Sequence, residues 1–283
     1  MLASSATVLF CVSLATSALG GALGMASGIF IVPILTTVLG IDIHTAIGAG
    51  LISVIACSCG SAASFLRSRL ANVRLAIVLE VATTLGAASG VLLSGVVPVP
   101  VLYAIFAAIL VISAAQMLMR RREPKHLTEA PSARKGWARR LDSVYRDSDV
   151  GHEVAYTVER LPLGVGLMYG AGLLSALLGI GGGVLKIPAM DSALRLPIKV
   201  SSATSNFMIG VTAAASASAY FFRGTMLPSI AGPVAVGSVV GAVLGARVLM
   251  LTSSEALRIF FVAALLVLAA QMLMSAFGIH VGL

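Results

Sequence analysis

The sequence predicts an all-α integral membrane protein made of two homologous repeats. Composition, internal duplication, and glycine-broken apolar runs at matching places carry that expectation. Of the 283 residues, 58% are hydrophobic and 11% charged, and the mean hydropathy is +1.03. A soluble domain carries about 25% charged residues. A chain this apolar needs lipid as the solvent for what one core cannot hide.

Duplication is read at an offset of 155 positions. Gly24, Gly28 and Pro33 then fall on Gly179, Gly183 and Pro188, and Gly86, Ala87 and Gly90 fall on Gly241, Ala242 and Gly245. The run Ala114-Ala115-Gln116-Met117-Leu118-Met119 meets Ala269-Ala270-Gln271-Met272-Leu273-Met274 letter for letter. Each repeat (1–119 and 161–283) opens with an apolar run broken near its middle by glycines, at about 6–39 and 162–194. Three ordinary spans follow, near 45–66, 75–97 and 100–119, and again near 200–222, 228–250 and 255–277. Each has the roughly 20 residues a helix needs to cross the hydrocarbon. The first run lacks the basic leader of a secretory signal and is echoed in the second repeat, so it is expected to be retained structure.

The net charge of +8 raises the question of nucleic acid, but ten of the nineteen basic residues lie in the linker 120–160. Most others sit singly near span ends. That is the distribution of the positive-inside bias, and no basic groove with interleaved aromatics is visible. The linker is expected to be cytoplasmic. Trp137, Leu141, Val144 and Tyr145 recur at helical spacing among Arg134, Lys135, Arg139 and Arg140, which fits a surface helix on anionic lipid as well as a plain solvated connection. Cys11, Cys57 and Cys59 fall in apolar segments and read as small hydrophobes.

Charge also orients the repeats. Arg67, Arg69 and Arg74 flank the turn between the first two spans of repeat one. In repeat two the basic residues have moved to Arg195 and Lys199, and to Arg247 and Arg258, leaving Arg223 alone at the equivalent turn. Inverting the second repeat places four of these five inside. Inversion requires the broken run to leave by the side it entered, as a re-entrant hairpin or paired short helices, a plan recurrent among transporters.

The stretch Gly179-Ile180-Gly181-Gly182-Gly183-Val184-Leu185-Lys186-Ile187-Pro188 is the most informative. Consecutive glycines cost about 1 kcal/mol each in a helix, so they mark a break, and bare N–H groups at the start of the next helix favour an anion. Lys186, a turn further on, is expensive inside lipid and faces a cavity or partner. The competing reading keeps the glycines for close packing and lets Lys186 snorkel. Ser202, Thr204, Ser205 and Asn206 follow as candidate oxyanion ligands or interhelical glue. Repeat one offers only Ser27 and Gly28, with Ile31 where repeat two has Lys186. Glu80, a carboxylate within a span, is a proton-coupling candidate. Asp191 is the second such candidate, or else the partner of Lys186 or Arg195. Gln116 and Gln271 read as helix glue. His44 has no companion ligand, so no metal site is expected, and no nucleophile–base pair or phosphate loop suggests an enzyme or a cofactor.

At these residues the sequence resembles the TauE/SafE, or sulfite exporter, family. The resemblance rests on the Gly-Ile-Gly-Gly-Gly stretch at 179–183, Pro188, and Ala203-Thr204-Ser205, weakly repeated in the first half. Repeat one departs from the pattern, with Ala26-Ser27 replacing glycines and no matching Thr-Ser pair, so the implied site is asymmetric. The resemblance implies secondary transport of a small anion such as sulfite, sulfoacetate or a related organosulfonate, in a bacterial cytoplasmic (inner) membrane. The other functions open to the sequence are an anion channel, or a membrane scaffold whose basic linker docks a partner. Expected partners are the anion and the bilayer, with a homo-oligomer left open and no nucleic acid.

Overall fold

A computed structural model of the chain describes residues 6–23, 27–67, 71–119, 141–146, 153–224, 226–249 and 254–277. Ten α-helices account for most of them. In the first half these are α1 (Ala6–Leu23), α2 (Gly28–Pro33), α3 (Ile43–Arg67), α4 (Val73–Ser94) and α5 (Val99–Met119). In the second half they are α6 (Leu161–Leu178), α7 (Gly183–Leu194), α8 (Ile198–Phe222), α9 (Pro228–Leu249) and α10 (Ser254–Ala276). Each helix of the second half begins 155 residues after its counterpart in the first. A short antiparallel hairpin, β1 (Ser143–Arg146) and β2 (Glu153–Tyr156), lies between the halves.

Among the described residues, four helical stretches are long and apolar enough to cross a membrane: Ile43–Gly60, Val73–Ser94, Val99–Gln116 and Leu161–Leu178. Shorter apolar stretches are Ala6–Gly20, Gly28–Val38, Pro228–Leu244 and Val262–Ala276. On α4, Ile77, Val81, Leu85 and Leu92 are 60–70% exposed and repeat at helical spacing. Such a stripe has no place in water and suits acyl chains. The chain is an all-α integral membrane protein.

The core is built between the halves. Helix α1 packs on α9, α4 on α6, α5 on α10, and α3 on both α8 and α9. Glycine makes the closest of these contacts. A Cβ on Gly86 or Gly172 would run into the carbonyl of Tyr169 or Thr83 across the α4–α6 seam, and one on Gly241 into that of Leu14 across α1–α9. Gly86 and Gly241, like Tyr169 and Leu14, stand 155 residues apart. Small residues let membrane helices meet backbone to backbone, and here they do so at equivalent points.

Two broken runs shape the centre. In the second, α6 and α7 form a hairpin: the Glu159 amide before α6 donates to the Leu194 carbonyl at the end of α7 (3.2 Å), and Arg195 pairs with Glu159 (3.6 Å). The run therefore returns to the side on which it began. In the first, Pro33 lacks an amide to continue the helical ladder, and the chain passes into a π-turn at Ile34–Val38, with Thr37 Oγ1 donating to the Pro33 carbonyl (2.7 Å). Gln271 accepts from the Thr37 hydroxyl (3.3 Å), tying α10 to this turn.

Helices α4 and α8 run parallel. Asn72, the N-cap of α4, donates its amide to Thr204 Oγ1 (3.1 Å) near the start of α8. Arg223, at the end of α8, donates to Ser94 Oγ at the end of α4 (2.9 Å). Asn72 Nδ2 also donates to the Leu141 carbonyl (2.8 Å) and the Tyr156 hydroxyl (3.0 Å), which clips the hairpin onto this end of the bundle. The expected surface helix does not extend through Val144 and Tyr145, which lie on β1. Its remaining positions from 134 to 140, Trp137 among them, lie outside the described residues. Cys57 is buried as expected, whereas Cys11 and Cys59 are exposed on apolar helices.

Candidate functional site

The break of the α6–α7 hairpin lies at the centre of the fold. Gly179 (φ +68°) caps α6, its amide donating to the Ser175 carbonyl (2.9 Å), and Gly181 and Gly182 (both φ +72°) carry the chain round to α7. Glycine enters this left-handed region without steric cost, which explains the run. The opening bonds of α7 come from the amides of Leu185 (3.0 Å) and Lys186 (2.8 Å) to the Gly182 carbonyl. Amides that precede them have no acceptor within the helix. Glycines 181–183 are buried.

The first half of the chain presses on this break. A Cβ on Gly28 would collide with the Gly179 carbonyl, and one on Gly50 would reach the same oxygen. Ser27, the N-cap of α2, pairs its hydroxyl with Ser53 Oγ (2.7 Å), which also meets Ser238 Oγ (2.7 Å) and Ser17 Oγ (3.3 Å). Those four buried hydroxyls satisfy one another. Gly28 and Ser27 thus support the break through packing and hydrogen bonds.

Lys186 does not snorkel. Its side chain is wholly buried, and Nζ donates to Thr212 Oγ1 on α8 (2.6 Å). Thr212 in turn donates to Glu80 Oε1 on α4 (2.6 Å), and Lys186 Nζ lies 3.8 Å from Glu80 Oε2. Thr84 Oγ1 also donates to Glu80 Oε1 (3.4 Å). Three helices, drawn from both halves, therefore meet in one charge pair bridged by a hydroxyl. Asp191, the partner considered for Lys186 in sequence, is not the one found; it sits on the exposed side of α7, and Arg195 pairs with Glu159.

Elsewhere in the interior, buried polar atoms stand without a hydrogen-bond partner among the described residues: Ser175 Oγ, Ser201 Oγ, Ser205 Oγ and Asn206 Nδ2, with Glu80 Oε2 in the pair itself. Ser175 Oγ faces the break, 3.2 Å from where a Cβ on Gly182 would stand. Ser201, Ser205 and Thr212 share one side of α8 by their i, i+4 and i+11 spacing. Orphaned buried donors are costly and call for an explanation, an unplaced ligand being one. The other candidates separate. Thr204 is engaged by Asn72, Ser202 is half-buried, and the Asn206 carbonyl is taken by Ser58 Oγ (2.7 Å). Sequence reading missed Thr212 and Ser175. The α8 periodicity contained Thr212, whereas nothing local flagged Ser175.

A separate cavity of about 380 Å³ is lined by Thr36, Thr37, Asp42, Tyr103, Gln271 and Ser275 among others. Its charged side chain is the Asp42 carboxylate, which caps α3 through the amides of His44 (3.0 Å) and Thr45 (3.2 Å). That lining does not suit an anion. Among the described residues no cluster of three metal-ligating side chains occurs.

The fold and this centre define a polytopic membrane protein with a charged, hydroxyl-lined break in its middle. The sulfite exporter TauE/SafE family matches residues 9–272, and the chain belongs to that family of membrane transporters. It is also similar to the "probable membrane transporter protein YunE" of Bacillus subtilis (strain 168), 26% identical over 254 residues covering 86% of this chain and 88% of the relative. No solved structure matches the chain.

Proposed function

We propose that the chain is a secondary transporter for a small anion, a sulfur oxyanion or organosulfonate such as sulfite or sulfoacetate, in a bacterial inner membrane. The carrying observation is the wholly buried Lys186 one turn after a glycine break, in an interior that also holds hydroxyl and amide groups without partners. A lysine supplies the charge, and serine hydroxyls, the Asn206 amide and bare backbone N–H groups supply directional donors for oxyanion oxygens. The family membership supports transport; the sulfur class follows from the family's name. The test is a flux assay in proteoliposomes against sulfite, thiosulfate, sulfoacetate and a panel of carboxylates. Saturable, competable flux is expected for at least one sulfur anion. Flux that never saturates favours a channel, and none at all favours a scaffold.

In this reading the chain is a duplicated unit with its second copy inverted, and the 120–160 linker is cytoplasmic. Three observations support it: the constant 155-residue spacing of helix starts, the closed α6–α7 hairpin, and the parallel run of α4 and α8. Two four-span copies in the same orientation would place α4 and α8 antiparallel. The N-terminus and Leu283 are then both outside. A reporter active only in the cytoplasm, fused after Leu283, is expected to be silent; strong activity there restores the parallel arrangement.

A further inference from the structure

The proposed anion site contains its own competitor. Lys186 faces Glu80, and Thr212 accepts from the first while donating to the second. With both groups charged the centre is neutral, and an incoming anion meets a carboxylate already holding the lysine. We propose that Glu80 is a tethered surrogate for the substrate, and that its protonation releases Lys186 to the anion, so that one proton enters the protein with each anion bound. This rests on the carrier reading above.

The charge balance is direct. Protonating Glu80 leaves the centre at +1; a dianion such as thiosulfate then brings it to −1, where the ionised pair would bring it to −2, and loss of proton and anion together returns the resting pair. The surroundings accommodate either state. A threonine hydroxyl has one proton and two acceptor positions. Thr212 Oγ1 lies 2.6 Å from Glu80 Oε1 and 3.1 Å from the Met208 carbonyl. When Glu80 is ionised the threonine proton goes to the carboxylate. When Glu80 is protonated, that proton turns to Met208, and the threonine oxygen accepts from the acid instead. The groups within reach of the pair are Thr83 and Thr84 on α4 and Thr212 and the Met208 carbonyl on α8, all neutral. No other charged side chain among the described residues contacts either member. The duplication leaves no second copy of the arrangement: Ile31, Cys57 and Ala235 stand 155 residues from Lys186, Thr212 and Glu80.

The experiment counts protons. Wild-type protein is reconstituted with a pH dye trapped inside, and an outward or inward gradient of thiosulfate, sulfoacetate or sulfite is imposed, with sulfite held alkaline so that it carries no proton of its own. Whichever anion moves should carry one proton in the same direction, and flux should fall as the proton concentration is lowered at fixed anion concentration. In Glu80→Gln the anion should move with a proton count near zero and a flat pH profile. If no panel anion shows saturable flux, the carrier reading fails and this proposal falls with it. If the wild type moves an anion without protons, the coupling is overturned and the carrier reading stands. If folded Glu80→Gln still moves one proton per anion, Glu80 is not the proton site. Should that variant not assemble, the wild-type count decides alone.

Discussion

Lys186→Met is expected to abolish anion flux and, by itself, to lower the stability of the folded protein by about 3 kcal/mol. Removing a lysine from an apolar helix should ease membrane insertion. The structure reverses the sign for stability, because Glu80 is left 14% exposed with no counter-ion, and stripping one partner from a buried pair costs more than the pair itself contributed. Glu80→Gln added to Lys186→Met should therefore recover most of the loss in a denaturation midpoint while flux stays absent. Replacing both members of a buried pair by neutral groups is often close to neutral. Transport at wild-type rates by either variant would take Lys186 out of the anion site. A double variant no more stable than the single one would show that the 3.8 Å contact carries no coupling.

The glycines of the break give the second large effect, and they divide by backbone geometry. Gly181 and Gly182 sit at φ +72°, where a side chain costs about 1–2 kcal/mol before any contact is counted. At Gly182 a Cβ would also stand 3.0 Å from Ser175 Cβ. Alanine at either position should depress stability and flux together. Gly183 opens α7 without a positive φ, so Gly183→Ala adds a methyl with little strain. If the amides there hold the anion, Gly183→Ala should keep a near-normal melting temperature without ligand and lose both flux and ligand stabilisation. A bound ligand at a hundredfold excess over Kd adds about 2.7 kcal/mol, so its loss is readable in a thermal shift. Full flux and a full shift in Gly183→Ala would move the site away from the break, toward Ser205 and Asn206.

Much of the architecture was readable because lipid permits few alternatives. Apolar runs such as 75–97 and 100–119 become α4 and α5 with small shifts at their ends. Consecutive glycines at 181–183 announced a break, since no helix tolerates them cheaply. At Val144 and Tyr145 the helical expectation gives way to a strand for a physical reason. Leu141, Val144 and Tyr145 satisfy a helical period, but four residues also satisfy strand alternation, and pairing of Val144 with Ala155 is a long-range fact. The site was legible in kind and not in wiring. Lys186 and Glu80 were each conspicuous as charges among apolar residues, yet they lie 106 positions apart and nothing local joins them. Thr212 was overlooked because a hydroxyl seven residues beyond Ser205 looks like ordinary interhelical glue until its neighbours are known.

The glycine seams constrain how such a molecule can work. Gly86 and Gly172 set α4 and α6 backbone against backbone, and Gly237 and Gly241 do the same for α9 on α1. Surfaces in that contact cannot slide by the width of a side chain without parting, so each pair behaves as a stiff plank. Glu80 rides on α4, and Lys186 rides on the arm folded back from α6. Both charges are thus carried by the α4–α6 pair and its folded-back arm. If the pair parts as proposed above, a proton on Glu80 or an anion at Lys186 is enough to part it without sliding α4 along α6.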